Sequence, residues 1–440
     1  MRNVPAAQQY ICEAITERGD IASQPLRDQW RQLVLSPLSK LNGHSYPSSY
    51  IVVIDALDEC DNENDIRIIL QLLAEAQSLE TVRLRVFLTS RPEVPIRHGF
   101  YQMQDAEHQD CVLHNISPSI IDEDISIFLS HSLRLIGQER SLDASWPGDQ
   151  AIMRLVQHAG GLFICAATAC RFVREGKRFA VKRLDIILKG SSASVSAPEQ
   201  HLNEIYTTVL KNSIYPDYTD EEKEELYSML RYVLGSIVVL LSPVSTHSLS
   251  RLLHVSEDDV NQTLGDLHAI LDITDDQTCP LRLHHPLFRD FLVNKDRCTD
   301  PNFLVDEKQV HQTLAETCIR LISTSLTQDI LSLQDAYGVS AFGMLVANVE
   351  SGRVERYLSP EVQYACLYWV QHLQKSGTQL YDGDQVHQFL QEHFLDWLEA
   401  VSWMQKTSEG IYAITSLEAI ALVSRLEHNA NTGLISSLEM

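Results

Sequence analysis

Residues 51–59 read IVVIDALDE, an apolar and mainly β-branched run that gives way to three acidic residues. A continuous apolar run of this kind is typical of a strand buried on both faces of a parallel sheet. Residues 66–73 then carry apolar side chains at helical spacing, and residues 82–88 alternate as a second strand. The order strand, helix, strand predicts a parallel βαβ unit, with a weaker third strand over residues 111–114.

After residue 122 the sequence pattern is nearly all helical. Within this part, residues 216–298 combine three helices with short strands near 271–274 and 281–284, which is typical of a winged helix. Residues 190–198 have the clearest loop composition. We therefore predict an α/β plus α fold with four domains: a partial sheet domain over 1–120, a helical subdomain over 121–215, a winged helix over 216–298 and a C-terminal helical domain over 299–440.

The chain of 440 residues has a formal net charge of −24. This charge repels phosphate backbones, which argues against a general binder of nucleic acids or anionic membranes. The nine cysteines are irregularly spaced and form no CxxC pair, so they predict neither a disulfide framework nor a zinc site and favour a reducing compartment. The sequence also has neither a secretory signal nor an apolar stretch long enough to span a bilayer. We therefore expect a cytoplasmic protein without a transmembrane segment.

Two short motifs carry the chemistry, each at the end of a predicted strand. Asp55 ends the first strand, at the sheet edge where α/β proteins bind ligands. In P-loop NTPases such an aspartate holds Mg²⁺, and a further carboxylate, here Asp58 or Glu59, can orient the attacking water. Arg91 follows the second strand and is placed to sense a γ-phosphate. The plain alternatives are acidic residues in a solvated loop and an arginine paired with a carboxylate.

The order of several motifs along the chain is more specific than any one of them. The sequence resembles the NACHT domains of fungal NOD-like receptors of the vegetative-incompatibility type, including the nephrocystin-like N-terminal NACHT region. These proteins belong to the STAND class of P-loop signalling NTPases. The resemblance rests on DALDEC at 55–60, TSRPE at 89–93, GGLFI at 160–164, LHHPLFRDFL at 283–292, YACLYW at 364–369 and FLDWLEA at 394–400.

The resemblance implies a site for ATP or GTP with Mg²⁺. In this family the position of Asp55 is the Mg²⁺ ligand, and Asp58 and Glu59 are the acidic pair near the attacking water. Arg91 matches the sensor arginine, and His285 matches the winged-helix histidine that touches the nucleotide phosphate in the closed state. The alternative for His285 is a hydrogen-bonded histidine of the core.

The sequence departs from the family because no G-x-x-x-x-G-K-[ST] motif occurs in it. That motif wraps the phosphates with backbone N–H groups and supplies a lysine, so we expect this chain alone to be inactive as an NTPase. We expect either a chain truncated before the P-loop and before the repeats that end family members, or a degenerate copy. In the family, the P-loop strand lies between the two strands identified here, so its absence predicts that they are unpaired along an edge.

Two functions are therefore open. The first is a nucleotide-controlled switch in non-self recognition or cell death. The second is a non-enzymatic interaction module that associates with itself or with full-length relatives. A winged-helix DNA binder is disfavoured, because the candidate recognition helix has four carboxylates and neither lysine nor arginine over residues 256–268. That helix is predicted to open at a capping box of Ser256 and Asp259 and to run to about Ile270.

Overall fold

The structure is a computed structural model whose chain forms two compact units, a smaller one chiefly of Met1–Leu113 and a larger one that begins at His114. It describes residues 5–18, 21, 24–40, 48–60, 62–75, 82–91, 93–101, 109, 111–190, 198–215, 217–274, 276, 279–326 and 358–438. Most of the described residues are helical. The domain boundaries predicted at residues 120, 215 and 298 stay predictions.

In the part of the smaller unit that the structure describes, helices alternate with two strands. Its helices are α1 (Pro5–Glu17), α2 (Leu26–Trp30), α3 (Ser36–Ser39), α4 (Glu63–Glu75) and α5 (Val94–Tyr101), with a π-helical turn at Arg31–Leu35 and a 3₁₀ turn at Leu57–Glu59. Its strands are β1 (Ser48–Ile54) and β2 (Val82–Leu88).

The two strands of this unit lie side by side. β1 and β2 pair in parallel along their full length, from Ser48 opposite Val82 to Ile54 opposite Leu88. The predicted βαβ unit is thereby confirmed. The expectation that the two strands are unpaired along the edge where the P-loop strand would lie between them is wrong, because the crossover through α4 returns the chain directly beside β1.

The two faces of this sheet differ in burial. One face packs against a helical layer, and its core residues are Leu38 of α3, Leu57, Ile66 and Leu70 of α4, and Ile96 of α5. On the opposite face, Ile51 is 69% exposed, Val53 66% and Phe87 60%. The prediction that β1 is buried on both faces is therefore wrong for the part of the chain that the structure describes. An apolar run shows that a strand is apolar, but not how many layers cover it.

The predicted third strand is also wrong. A 3₁₀ turn forms over Leu113–Asn115, and Val112 and Leu113 are exposed. Apolar character over so few residues does not decide between a strand and a turn. Of the loop predicted over residues 190–198, residues 191–197 fall outside the described residues.

The larger unit begins with five helices. They are α6 (Pro118–Glu139), α7 (Asp149–Ala159), α8 (Phe163–Glu175), α9 (Ala180–Gly190) and α10 (Pro198–Asn212). Helix α6 buries Ile125, Leu129, Leu133 and Ile136, which lie three or four residues apart and therefore share one face.

A second group of elements follows in the predicted order. It comprises α11 (Asp220–Val239), α12 (Thr246–Leu253), α13 (Glu257–Leu264), β3 (Leu271–Asp272), β4 (Arg282–Leu283) and α14 (Leu287–Val293), with β3 and β4 antiparallel. Ser256 caps α13 by accepting the Asp259 N–H at 3.1 Å. Helix α13 ends at Leu264, earlier than expected, because the chain turns there to enter β3. The assignment of this group as a winged helix stays a prediction.

The last described helices are α15 (Glu307–Ser325), α16 (Pro360–Ser376), α17 (Gln385–Trp403) and α18 (Thr407–Leu438). Trp369 of α16 and Trp397 of α17 are fully buried, with ring centroids 5.7 Å apart in an edge-to-face contact. Among the residues described above, no helix combines the length and apolarity needed to cross a bilayer.

An ion pair between a half-exposed arginine and a buried glutamate joins α12 to the start of α16. Glu361 is only 1% exposed, and its Oε1 lies 2.7 Å from Arg251 Nε. Ser359 donates to the same oxygen at 2.6 Å, and Ser248 donates to Oε2 at 3.1 Å. A carboxylate withdrawn this far from water requires such partners, so the pair fixes how α16 begins against α12.

Replacing Arg251 by alanine is expected to lower the free energy of unfolding of the larger unit by about 3 kcal/mol, because Glu361 keeps only hydroxyl partners. Urea unfolding followed by tryptophan fluorescence measures this change. The matched control is Arg289→Ala, which removes an exposed pair with Glu307 at 2.7 Å and is expected to cost about 0.5 kcal/mol. Equal costs for the two variants would contradict the assignment of Glu361 as a buried charge that depends on Arg251.

Candidate functional site

Asp55 and Thr89 are the first residues beyond the two paired strands. Thr89 extends the strand pairing, because its N–H donates to the Ile54 carbonyl at 2.9 Å. Its hydroxyl donates to Asp55 Oδ1 and accepts the Ala56 N–H at 2.9 Å. One side chain therefore fixes both the Asp55 carboxylate and the backbone that follows it. Asp55 itself is exposed at the carboxyl edge of the strands.

A tight turn then sets the direction of the other acidic residues. Ala56 has φ 51° and ψ 54°, in the left-handed region that costs a non-glycine residue about 1 kcal/mol. Two contacts hold this conformation: Leu57 is buried in the core, and its N–H donates to the Thr89 carbonyl at 3.0 Å. The turn consequently leaves Glu59 exposed.

Asp58 faces the loop after β2 rather than solvent. Its Oδ1 accepts the Arg91 N–H at 2.9 Å and the Ser90 hydroxyl at 3.2 Å. Its Oδ2 lies 3.5 Å from Arg91 Nε, and the Asp58 side chain is 8% exposed while that of Arg91 is half exposed. The structure therefore contains the arginine–carboxylate pair that was the plain alternative for Arg91. Because the guanidinium stays half exposed, its sensor role stays a prediction.

The two histidines at the start of α14 belong to the larger unit, and both have protein partners. His285 Nδ1 accepts the Leu287 N–H at 3.1 Å and so caps the first turn of the helix. His284 Nε2 lies 3.0 Å from the His268 carbonyl, which makes that nitrogen the donor. Burial lowers the pKa of His284, and the Arg171 guanidinium lowers it further. The proposed phosphate contact of His285 stays a prediction.

The structure brings together Asp55, Asp58, Glu59 and Arg91 at one edge of the smaller unit, whereas His285 lies in the larger one. The sequence analysis missed Thr89 as a member of this group. The register was the available signal, because a parallel pair that ends at Ile54 and Leu88 brings the next residues, Asp55 and Thr89, opposite each other.

The acidic residues of this edge fit one kind of metal site only. The described residues contain no group of three or more His, Cys, Asp or Glu side chains that could hold a metal ion. Asp55 and Glu59 are nevertheless exposed carboxylates, and Mg²⁺ is usually bound through one or two carboxylates together with phosphate oxygens and water. The residues therefore fit Mg²⁺ that arrives with a nucleotide, but not a cage made by protein alone.

Thr89→Val preserves the shape of the side chain but removes its hydroxyl. The Ala56 N–H then loses its acceptor and Asp55 loses its donor, so the free energy of local opening is expected to fall by about 1–3 kcal/mol. Hydrogen exchange at the Ala56 amide measures this change. Thr89→Ser is the matched control and is expected to retain most of the protection. Equal protection in the two variants would contradict the role given to the hydroxyl.

Two similarities to known proteins extend over this site. A family model described as "Nephrocystin 3, N-terminal" matches residues 1–91, which include both strands and Arg91. The vegetative incompatibility protein HET-E-1 of Podospora anserina is 24% identical over 387 residues, which cover 84% of this chain and 26% of that protein. The chain thus spans about a quarter of the length of the curated relative it matches. Together the two similarities support a NACHT-related protein.

Proposed function

We propose that this chain is part of a nucleotide-controlled signalling switch of the STAND type, acting in non-self recognition or cell death. The similarity to a vegetative incompatibility protein supports the biological role. The single observation that carries the chemistry is the convergence of Asp55, Asp58 and Arg91 at the ends of two adjacent parallel strands. Ligands of α/β sheets bind at this edge.

Each residue of the edge has a distinct part in this proposal. Asp55 holds the Mg²⁺ of a bound ATP or GTP, with its carboxylate oriented by Thr89. The Mg²⁺, when bound, supplies charge neutralisation for the phosphates. Glu59 is the acid that orients an attacking water, because it is exposed while both Asp58 oxygens face the loop after β2. Asp58 acts by positioning Arg91.

Arg91 is the part of this edge that distinguishes nucleotide states. A γ-phosphate competes with Asp58 for the guanidinium, which is half exposed and lies 3.5 Å from its present carboxylate. A nucleoside diphosphate lacks this group and leaves the pair intact. A ligand that binds better to the protein with the Asp58–Arg91 pair broken shifts the population of molecules towards that state. His285, in the predicted winged helix, is proposed as a further contact to the phosphate.

The proposal predicts Mg²⁺-dependent binding of a fluorescent ATP or GTP analogue by the purified chain, without hydrolysis and with lower affinity than a P-loop gives, because the G-x-x-x-x-G-K-[ST] motif does not occur in this sequence. Asp55→Asn is expected to weaken that binding about tenfold or more, because one charge-assisted contact contributes about 1.5–3 kcal/mol. Arg91→Ala is expected to weaken triphosphate binding more than diphosphate binding, and His285→Gln to weaken both.

The matched control is Asp65→Asn, which changes a half-buried acid of α4 in the same unit and is expected to leave binding unchanged. Binding that is independent of Mg²⁺ or unaffected by Asp55→Asn would reject the nucleotide proposal. So would a chain that binds neither nucleotide.

An interaction module is the second candidate, favoured by the apolar sheet face of Ile51, Val53 and Phe87. These three side chains are exposed on neighbouring positions of β1 and β2, because Val53 is paired with Phe87. Contiguous apolar patches on a protein surface are typical of sites that another protein covers. In this proposal the face associates with a second copy of the chain or with a full-length relative.

Val53→Lys tests this candidate by placing a charge in the centre of the face. Light scattering is expected to show association of the unmodified chain at micromolar concentration and its loss in the variant, because a buried unpaired lysine is costly. Ile127→Lys is the matched control, since Ile127 is 61% exposed on α6 of the larger unit. The candidate is wrong if both variants behave like the unmodified chain.

A further inference from the structure

Three polar side chains are enclosed where α15 packs against α16. His311 is 1% exposed, His372 is 0% and Tyr364 is 4%. Their surroundings are the apolar core of the larger unit, which includes Trp369 and Ile322. Polar groups buried to this degree destabilise a fold unless they bind one another. Their arrangement therefore has to be explained by mutual hydrogen bonds.

The three side chains form one continuous chain of hydrogen bonds, here called the histidine relay. It starts at the Leu241 N–H, just after α11, which donates to Tyr364 Oη at 3.1 Å. Tyr364 Oη lies 2.7 Å from His372 Nε2, and His372 Nδ1 lies 2.7 Å from His311 Nδ1. His311 Nε2 ends the relay without a hydrogen bond, 3.9 Å from Glu307 Oε1.

The positions of the hydrogens follow from these contacts. The backbone N–H of Leu241 can only donate, so the Tyr364 oxygen accepts there. The hydrogen of Tyr364 then has His372 Nε2 as its one acceptor among the described residues, and it is satisfied only if it points there. A neutral His372 then carries its proton on Nδ1 and donates it to His311 Nδ1. His311 must carry its proton on Nε2, which faces the Glu307 carboxylate. Both histidines are therefore neutral, and each has a defined tautomer.

Burial and the neighbouring charges together disfavour the uptake of a further proton by His311 or His372. Burial lowers the pKa of His311 to about 4, an effect that Glu307 opposes and that Lys375 and Arg289 reinforce. Burial lowers the pKa of His372 to about 3, with contributions from His311 and Lys375. Further titratable groups on the elements packed against the relay are Cys318 of α15, Tyr368 of α16, the Arg251–Glu361 pair between α12 and α16, and His393 beside Asp396 on α17.

We propose that the histidine relay is a pH-sensitive fastener that joins the end of α11 to the α15–α16 pair and is released by the uptake of one proton. A proton added to His311 Nδ1 turns that nitrogen into a donor towards His372 Nδ1. His372 Nδ1 then has to accept, so His372 releases its hydrogen from Nδ1 and takes up a proton on Nε2, from which it donates to Tyr364 Oη. The hydroxyl hydrogen of Tyr364 thereby loses its acceptor. It rotates about the C–O bond to the other side of the oxygen, where the Leu241 N–H had donated. The hydrogen bond from the Leu241 N–H to Tyr364 Oη is therefore lost.

The direction of the pH effect follows from the two histidines. In the unfolded chain each takes up a proton near pH 6.5, but in the fold they do so only near pH 4 and pH 3. Unfolding therefore takes up protons between these values, so stability is complete above pH 6.5 and is lost as the pH falls towards 4. The contact at Leu241 is expected to open between about pH 5 and 4, where the folded form begins to take up its proton.

The tautomers are the first test, on the full chain with ¹⁵N-labelled histidine. At pH 7.5 the ring nitrogen shifts are expected to identify His372 as the Nδ1–H form and His311 as the Nε2–H form. Neither is expected to titrate above pH 5. The opposite tautomer at His372, or titration of both rings near pH 6.5, would overturn the proposal.

Hydrogen exchange at the Leu241 amide is the second test. Its protection factor is expected to fall about tenfold between pH 5 and 4, while that of Leu240, whose N–H donates to the Ser236 carbonyl at 3.0 Å, stays constant. Tyr364→Phe is expected to reduce Leu241 protection at every pH and to abolish its pH dependence. Tyr368→Phe is the matched control, because its ring centroid lies 4.8 Å from that of Tyr364. Constant Leu241 protection down to pH 4, or normal protection in Tyr364→Phe, would refute the fastener.

Discussion

The parallel register of β1 and β2 decides the geometry of the whole candidate site. It sets Asp55 opposite Thr89, and one hydroxyl then binds both the carboxylate and the backbone of the following turn. The turn buries Leu57 and directs Asp58 towards the loop after β2, where the backbone and guanidinium of Arg91 share its two oxygens. A shift of one residue in this pairing would move each side chain of the shifted strand to the other face of the sheet. The contacts of Asp55 with Thr89 and of Asp58 with Arg91 would then be lost.

The sequence predicted this unit well where its signals were local. Alternating and continuous apolar runs identified both strands, and the acidic residues beyond the first strand marked the edge at which the candidate site lies. Coverage by other layers was not predictable, since the apolar run at 51–54 looks the same whether one face or two are packed. The left-handed Ala56 also carried no signal, because alanine rarely adopts that conformation and it is held there by the burial of Leu57 and by hydrogen bonds to Thr89.

The larger unit shows the same division between local and distant causes. The Ser256 cap was predictable, because its partner Asp259 lies three residues away. The partners of the buried polar groups lie much further along the chain, 113 residues from Ser248 to Glu361 and 61 from His311 to His372. Helical periodicity assigns such residues to a face, but it cannot say which buried group they meet. Serine, histidine and glutamate on helices therefore look like ordinary surface residues in the sequence.

The distance between Ser248 and Glu361 also has a consequence for the order of assembly. During synthesis at about 5–20 residues per second, Glu361 leaves the ribosome roughly 6–23 s after the hydroxyl that it will meet. Until then Arg251 is solvated at no cost, since it is half exposed even in the finished fold. The carboxylate loses its water only when both partners are already in place. The contact between α12 and α16 thus forms late, because α12 is synthesised well before α16 can pack against it.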